Sequence, residues 1–484
     1  MTLKLHNTRT NSLENFVPQN DSEVLLYTCG PTVYSDLTVG NWVAYIAWDT
    51  LVRVLRHEGY AVRRVMNITD VGHLTSDEDE GEDKLEKGAR RENKTAWQIA
   101  ELYSEKFLDG MNKLNLLPPE HMARATDFID EQVALITTLK EKGYTYEIAD
   151  GIYFDTSKFP NYANFARLNV DAQKAGARVT YNSEKKNASD FALWKFTPAG
   201  QKRDMEWELP IHLIENGTVK PGFPGWHLEC SAMAMHFLGN TLDIHTGGID
   251  HIPVHHTNEI AQSEAANGQR FSNYWIHNNH LKVDGTKISK SLGNGYTLDD
   301  LSKKGFTTMD YRMFVLQSHY QSEGNFTFDN LAAAQNRLKR WKNVAVLRHQ
   351  IHDTLSSDET KNDDTGVSVL ATSGAIVEAL RDNLNTPEAL KIIDEAFARI
   401  EASPLHLVHR FSLIELLKNI DNTLGLQLID TTPDISDAQK RLLLERIQAR
   451  ANRDWQRSDE IRDALFEDGI TLKDTNAKTL WQYM

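Results

Sequence analysis

The 484 residues predict an α/β protein: a parallel sheet interrupted by a long insertion and followed by a helical C-terminal part. Three observations carry this. A strand–helix–strand pattern occupies 23–69, strand-like runs return after 241, and helical periodicity dominates from about 325 onward.

The first strand is EVLLYTC (23–29), a short apolar run typical of a buried strand, closed by a Gly-Pro turn. In NWVAYIAWDTLVRVLRHEGY, residues Val43, Ile46, Ala47, Leu51, Val52 and Leu55 share one helix face, and Gly59 is a stop signal. AVRRVMNIT (61–69) is the next strand, so 23–69 forms a βαβ unit. The stretch TSDEDEGEDKLEKGARRENK is highly charged and predicts a solvated excursion. Helical segments and strand-like pieces such as GIYFDT follow it, which predicts an insertion between two halves of the sheet. TLDIHTGG (241–248) and YWIHNNHLKV (274–283) resume the strands. LAAAQNRLKRWKNVAVLRHQ, GAIVEALRDNL and ALKIIDEAFARI predict helices. DTLSSDETKNDDTG (353–366) predicts a polar link, and TTPDISD (431–437) a further boundary.

Hydrophobic content of 40% and charged content of 25% describe an ordinary globular chain. No run of about 18 apolar residues could span a membrane. The start, MTLKLHNTRT, lacks the apolar core of a signal peptide. Two cysteines cannot make a disulfide framework, so a reducing cytoplasm is expected, with one structural disulfide as the alternative. The net charge of -15 argues against generic nucleic-acid binding. Two regions are less acidic: RLKRWK (337–342) is basic, and acids and bases nearly cancel across 437–474. Such faces can meet a polyanion, or they are simply solvated helix surfaces.

Two patterns point to chemistry. Cys29 and Cys230 are joined by DHIPVHHTNEIAQSEAANG, where Pro253 can open a helix that places His255 and Glu259 four apart on one face. Two thiolates, an imidazole and a carboxylate make a tetrahedral set suited to Zn²⁺. A His–Glu hydrogen bond beside two buried thiols is the alternative. The second pattern is VDGTKISKSLGN (283–294). Asp284-Gly285 is a turn pair, and Lys287 and Lys290 follow with Ser289 and Ser291 interleaved. Such a loop suits a polyphosphate, although lysines are also common in surface loops.

The stretches TCGPTVYSDLTVGN, VMNITDV, DFALWK, GFPGWHLECSAM, DIHTGGIDHIPVHHTNEIAQSE, NYWIH, KISKSLGN and DWQRSDEIRDALFEDGITLKDT together carry a resemblance. Over nearly its full length the chain resembles the cysteinyl-tRNA synthetase family of class I aminoacyl-tRNA synthetases. The resemblance implies a Rossmann-like catalytic domain in two halves, 1–75 and 216–285, around a connective insertion at 76–215. It also implies a lysine loop and stem-contact segment at 286–325, a tRNA-binding helical bundle at 326–430 and a small anticodon-binding domain at 431–484.

It further implies one zinc per chain on Cys29, Cys230, His255 and Glu259, with His256 the adjacent alternative to His255. Cys29, Thr69 and Trp226 would line the amino-acid pocket. ATP, with Mg²⁺, would meet Gly40, Asn41, Gly247, Gly248, Asp250 and Lys290, and Lys290, Lys287 and Thr38 would serve catalysis. Thr38 departs from the family pattern, which has histidine there. No editing domain is expected, because a metal–thiolate bond can separate cysteine from serine where pocket size cannot. The implied reaction joins L-cysteine, ATP and tRNA(Cys), in a cytoplasmic monomer without membrane attachment. A cysteine-activating ligase with an amino-sugar acceptor and a non-catalytic tRNA- or zinc-binding relative are the alternatives.

Overall fold

The computed structural model describes residues 2–71, 74, 83–167, 182–215, 217–289, 292–350, 355–356, 364–404, 407–474 and 479–483. It comprises two compact units, Thr2–Asp300 with Tyr320–Asn325, and Leu301–His319 with Phe326–Met484.

The first unit holds the predicted parallel sheet. In chain order its elements are β1 (Glu23–Thr28), α1 (Val39–His57), β2 (Ala61–Ile68), β3 (His121–Arg124), α2 (Trp226–Leu238), β4 (Leu242–Gly248), α3 (Thr257–Asn267) and β5 (Ser272–Asn278). The strand order is β5-β4-β1-β2-β3, all parallel. The strands are rich in buried apolar residues, among them Val24, Leu26, Tyr27, Val65, Ile244 and Trp275, as a sheet covered on both faces requires. The winding reverses between β1 and β4. Open α/β sheets bind ligands outside the strand C-termini at such a switch point.

The segment 76–215 contributes more than an insertion, since its strand β3 is the edge of the parallel sheet. The rest builds a second, antiparallel sheet in the order Thr145–Ile148, Gly151–Phe154, Phe191–Phe196, Pro221–Pro224, Trp207–Glu208. That sheet has its own core around Phe154, Phe191, Leu193 and Trp194. Its strand Pro221–Pro224 lies past residue 215 and leads directly into α2. The charged stretch expected to be solvated is only partly so. Residues 75–82 lie outside the described residues, but Lys84–Glu92 is a helix that buries Leu85, Gly88 and Ala89. The predicted strand 274–283 also divides: β5 ends at Asn278, and Leu281–Val283 pairs with Thr286–Lys287. Asp284 and Gly285 join that pair with φ of 49° and 75°, the signs that a type I′ turn requires.

The second unit is helical, with Phe328–Ala345, Asp364–Arg381, Thr386–Ala402 and Arg410–Leu424 among its helices. Leu331, Leu338, Trp341, Ile393, Phe397, Leu413, Leu417 and Ile420 are buried in it. Most of the expected link at 353–366 lies outside the described residues. Helices Asp437–Ala451 and Trp455–Glu467 and a hairpin of Ile470–Asp474 and Thr479–Tyr483 complete the chain, sharing a cluster of Val346, Ile435, Leu443, Ile461, Leu465, Ile470 and Trp481. Among the described residues no helix is long and apolar enough to cross a membrane.

Candidate metal centre and substrate cleft

Three neighbouring places around the switch point supply the donors. Cys29 follows β1 directly, and Cys230 sits in the first turns of α2. His255 and Glu259 straddle the junction of a π-helical turn (Ile252–His256) with α3, Pro253 being near the turn's start. Single π turns recur at functional sites because they redirect successive side chains.

One sulfur, nitrogen or oxygen from each of Cys29, Cys230, His255 and Glu259 lies within 4.8 Å of the others, and all four residues are buried. A second set, Cys29, His245, His256 and Glu259, meets the same criterion and shares two members. His255 Nε2 is 2.9 Å from Glu259 Oε1 and His245 Nε2 is 2.8 Å from Glu259 Oε2. His256 Nε2 lies 3.5 Å from Cys29 Sγ. Behind these, His255 Nδ1 is 2.9 Å from His227 Nδ1, and His256 Nδ1 is 2.7 Å from His277 Nε2. His277 Nδ1 in turn meets Thr8 Oγ1 at 2.7 Å. Each of the two candidate imidazoles is thus oriented through its second nitrogen, as metal-ligating histidines are. His227, His245 and His277 were not singled out from the sequence.

The electrostatics suit a cation. The Cys230 thiol, donating to Cys29, holds the Cys29 thiol well below its usual range against the effect of burial. The same contact and burial push Cys230 up. Burial opposes charge on Glu259, yet His245 and His255 hold its carboxyl at about 2. Burial likewise opposes charge on His255, but Glu259 and Cys29 raise it to about 10. His256 is pushed down to about 4, chiefly by burial. The cluster therefore carries negative charge at Cys29 and Glu259 that attracts protons to His255, the position a metal ion would take over.

These donors open on a cleft of about 480 Å³. Its walls include Cys29, Cys230, His255, Thr69, Trp226, Gly247, Gly248, Asp250, Thr38, Gly40, Asn41 and Lys287. Glu259 is buried behind the wall, and Lys290 lies outside the described residues. The Trp226 ring stacks on His255 with centroids 4.3 Å apart. Thr69 Oγ1 donates to Glu229 Oε2 at 2.9 Å and accepts from Asn67 Nδ2 at 3.1 Å. Glu229, fully buried, is thus a partner of the pocket that the motif GWHLEC contained but did not flag.

At the opposite end, Thr38 N–H and Oγ–H both reach Asn41 Oδ1 at 2.9 Å, capping α1. Thr38 also bridges Thr297, and Val39 N–H donates to Tyr296 O at 2.7 Å. A Cβ at Gly40 would stand 2.7 Å from Ile288 Cδ1, so glycine there allows the lysine-loop segment to close on α1. A Cβ at Gly247 would stand 2.5 Å from His256 Cε1, which makes glycine the residue that admits that ring. The loop itself is braced by Asn294, whose Oδ1 accepts from Ser289 N–H at 2.9 Å and whose Nδ2 donates to Lys287 O at 3.2 Å.

Comparison with known proteins agrees with this architecture. Residues 15–336 match the family model of the class I (C) tRNA synthetase catalytic domain. Residues 432–481 match that of the cysteinyl-tRNA ligase anticodon binding domain. The chain is 43% identical over 480 residues to cysteine–tRNA ligase 1 of Burkholderia lata, covering 98% of this chain and 96% of that one. It is 37% identical over 508 residues to cysteine–tRNA ligase of Treponema denticola, with full coverage of both. In fold it is similar to Mycobacterium tuberculosis methionyl-tRNA synthetase, with a TM-score of 0.58 at 14% identity over 84% of this chain and 92% of that one. A leucyl enzyme of Agrobacterium radiobacter solved with tRNA gives a TM-score of 0.59 at 12% identity over 87% and 86%. The chain belongs to the cysteinyl-tRNA synthetases, a family of class I aminoacyl-tRNA synthetases.

Proposed function

We propose that this enzyme activates L-cysteine with ATP and transfers it to the 3′ end of tRNA(Cys). The observation that carries the reading is a group of four metal-capable donors, three of which line the same cleft as Thr69, Trp226 and the glycine-rich end of β4. The donor chemistry fits zinc: two sulfurs, one imidazole nitrogen and one carboxylate oxygen, all buried. Cys29, Cys230, His255 and Glu259 would hold it. A zinc ion there lowers the pKa of a substrate thiol and prefers thiolate to hydroxyl, which is the basis for rejecting serine.

The chain's own groups do the rest. Thr69, with its proton committed to Glu229, keeps a lone pair for the cysteine ammonium. Trp226 closes one side of the amino-acid pocket. Gly247, Gly248 and Asp250 take the nucleoside. Asn41, its oxygen committed to Thr38, has its NH₂ to offer a phosphate. The cysteine carboxylate oxygen attacks the α-phosphorus of ATP, and pyrophosphate, with its Mg²⁺, leaves. The terminal ribose hydroxyl of tRNA then attacks the acyl carbon and AMP leaves. Lys287 and Lys290 meet the charge that develops on the phosphates. Positioning and electrostatics suffice, with no protein nucleophile. The helical bundle and the terminal segment would bind the tRNA.

The test is metal analysis joined to two assays on the purified chain. One zinc per chain, cysteine-dependent ATP–pyrophosphate exchange and charging of tRNA(Cys) are expected. Exchange without charging would indicate a different acceptor. A chain inactive in both assays would be a binding relative.

A further inference from the structure

One lysine on the cleft wall comes from none of the motifs. Lys84 opens the helix Lys84–Glu92, and its side chain lines the cleft together with Cys29, Thr69 and Trp226.

Its position is built. The preceding Asp83 is 4% exposed, and its Oδ1 accepts from the backbone N–H of Leu85 at 2.7 Å and of Glu86 at 3.2 Å. The other Asp83 oxygen pairs with Arg203, whose guanidinium lies 3.8 Å from the Phe223 ring centroid. Leu85, on the other side, is 1% exposed in the main core cluster. The backbone of Lys84 is therefore pinned from both sides. The half-buried side chain places Nζ 5.7 Å from the centroid of Tyr34, which is itself part of the cleft wall.

A cation at the first residue of a helix opposes the helix dipole, so the helix itself does not dictate a lysine there. Lys84 and Lys287 are the only lysines or arginines that line it among the described residues. They differ in kind: Lys287 is exposed on a short hairpin, whereas Lys84 rises from a helix anchored in the core.

We infer that Lys84 is the fixed cation of this cleft and binds a phosphate oxygen, either of ATP or of the 3′-terminal phosphodiester of tRNA. The inference rests on the substrates proposed above. Exchange and charging by the unaltered chain test those first: failure there counts against the proposed substrates, whereas the variants below test Lys84.

The experiment compares Lys84→Gln, Lys84→Met and Lys84→Arg in the full chain, with zinc content and thermal unfolding measured alongside. Lys84→Gln should lower kcat/KM for ATP in exchange by about 10- to 100-fold, as expected for one charge-stabilising donor on a partly exposed wall. The KM for cysteine should stay within about twofold, and Lys84→Arg should keep most of the activity. A neutral variant with normal exchange but a similar fall in single-turnover transfer from preformed adenylate would assign the phosphate to tRNA. Should Lys84→Gln unfold, Lys84→Met, which keeps the stem, carries the same comparison. Both steps within about twofold of the unaltered chain would overturn the inference. So would equal loss in the Gln and Arg variants, or a loss confined to the KM for cysteine.

Discussion

The two ends of the cleft are built on opposite principles. At the end proposed to hold the metal, Cys29, Cys230, His255 and Glu259 are 8%, 1%, 2% and 0% exposed, and a layer of hydrogen-bonded histidines sits behind them. At the end proposed to take the phosphates, Asn41 and Lys287 are exposed, and Thr38 and Gly40 half-buried. There, contacts run through loop backbone, such as Val39 to Tyr296 and Ser289 to Asn294. Buried, oriented donors favour discrimination, since misplacing one leaves an uncompensated charge. Exposed cations on loops favour a ligand whose charge must enter, change and leave. Selectivity is thus assigned to the rigid end and turnover to the open one.

The sharpest way to break this contrast is to remove one donor from the rigid end. Cys230→Ala or Glu259→Ala should abolish stoichiometric zinc and lower kcat/KM for cysteine by about 10³-fold, with ATP binding little changed, as metal analysis and exchange kinetics would show. His255→Ala should do the same. If His256→Ala loses zinc while His255→Ala keeps it, the second donor set holds the ion. Lys290→Ala should lower kcat of exchange by roughly 10²–10³ with zinc intact. A smaller effect tests the closure of the loop on α1. Gly40→Ala would push Ile288 aside, and exchange should fall about 10-fold with unchanged unfolding temperature. The smallest effect on catalysis lies in the terminal segment. Arg446, 2% exposed, bonds Asp474 at 2.9 Å and 3.0 Å. Asp474→Asn should destabilise that segment by about 2 kcal/mol and leave exchange untouched.

Asp474 also gives a pH signature. The Arg446 hydrogen bond holds its carboxyl below the ordinary range despite partial burial, with Thr479 and Arg450 adding to the effect. A depressed carboxylate contributes stability above its unfolded value, near about 4, and loses it as pH falls toward the folded value. The terminal segment should therefore lose stability below about pH 4 in the unaltered chain and much less in Asp474→Asn, as its unfolding measured at a series of pH values would show.

What the sequence disclosed follows the same division. Long apolar strands and the face of α1 were legible, because burial on both sides of a sheet leaves a continuous apolar run. The strand β3, HMAR, was not. It is four residues long, sits at a sheet edge and buries only Ala123. Cys29 and Cys230 were conspicuous by rarity, and His255 and Glu259 by spacing. His245 and His277 lie within buried strands, directly after Ile244 and Ile276, so they look like ordinary core positions. Their role appears only when β4, β5 and α3 meet. Lys84 was hidden for the opposite reason: in a run of charges, a lysine directed into a cleft looks like any solvated one.

The central claim is that the buried donors hold a metal that meets the substrate thiol. The direct measurement is the absorption spectrum of the Co²⁺-substituted protein titrated with L-cysteine and, separately, with L-serine. The account predicts that cysteine adds thiolate-to-cobalt charge-transfer intensity, saturating with the same dissociation constant as cysteine binding, while serine adds none. A spectrum indifferent to saturating cysteine would show that the ion does not contact the substrate, and selection of cysteine would then have to come from elsewhere in the cleft.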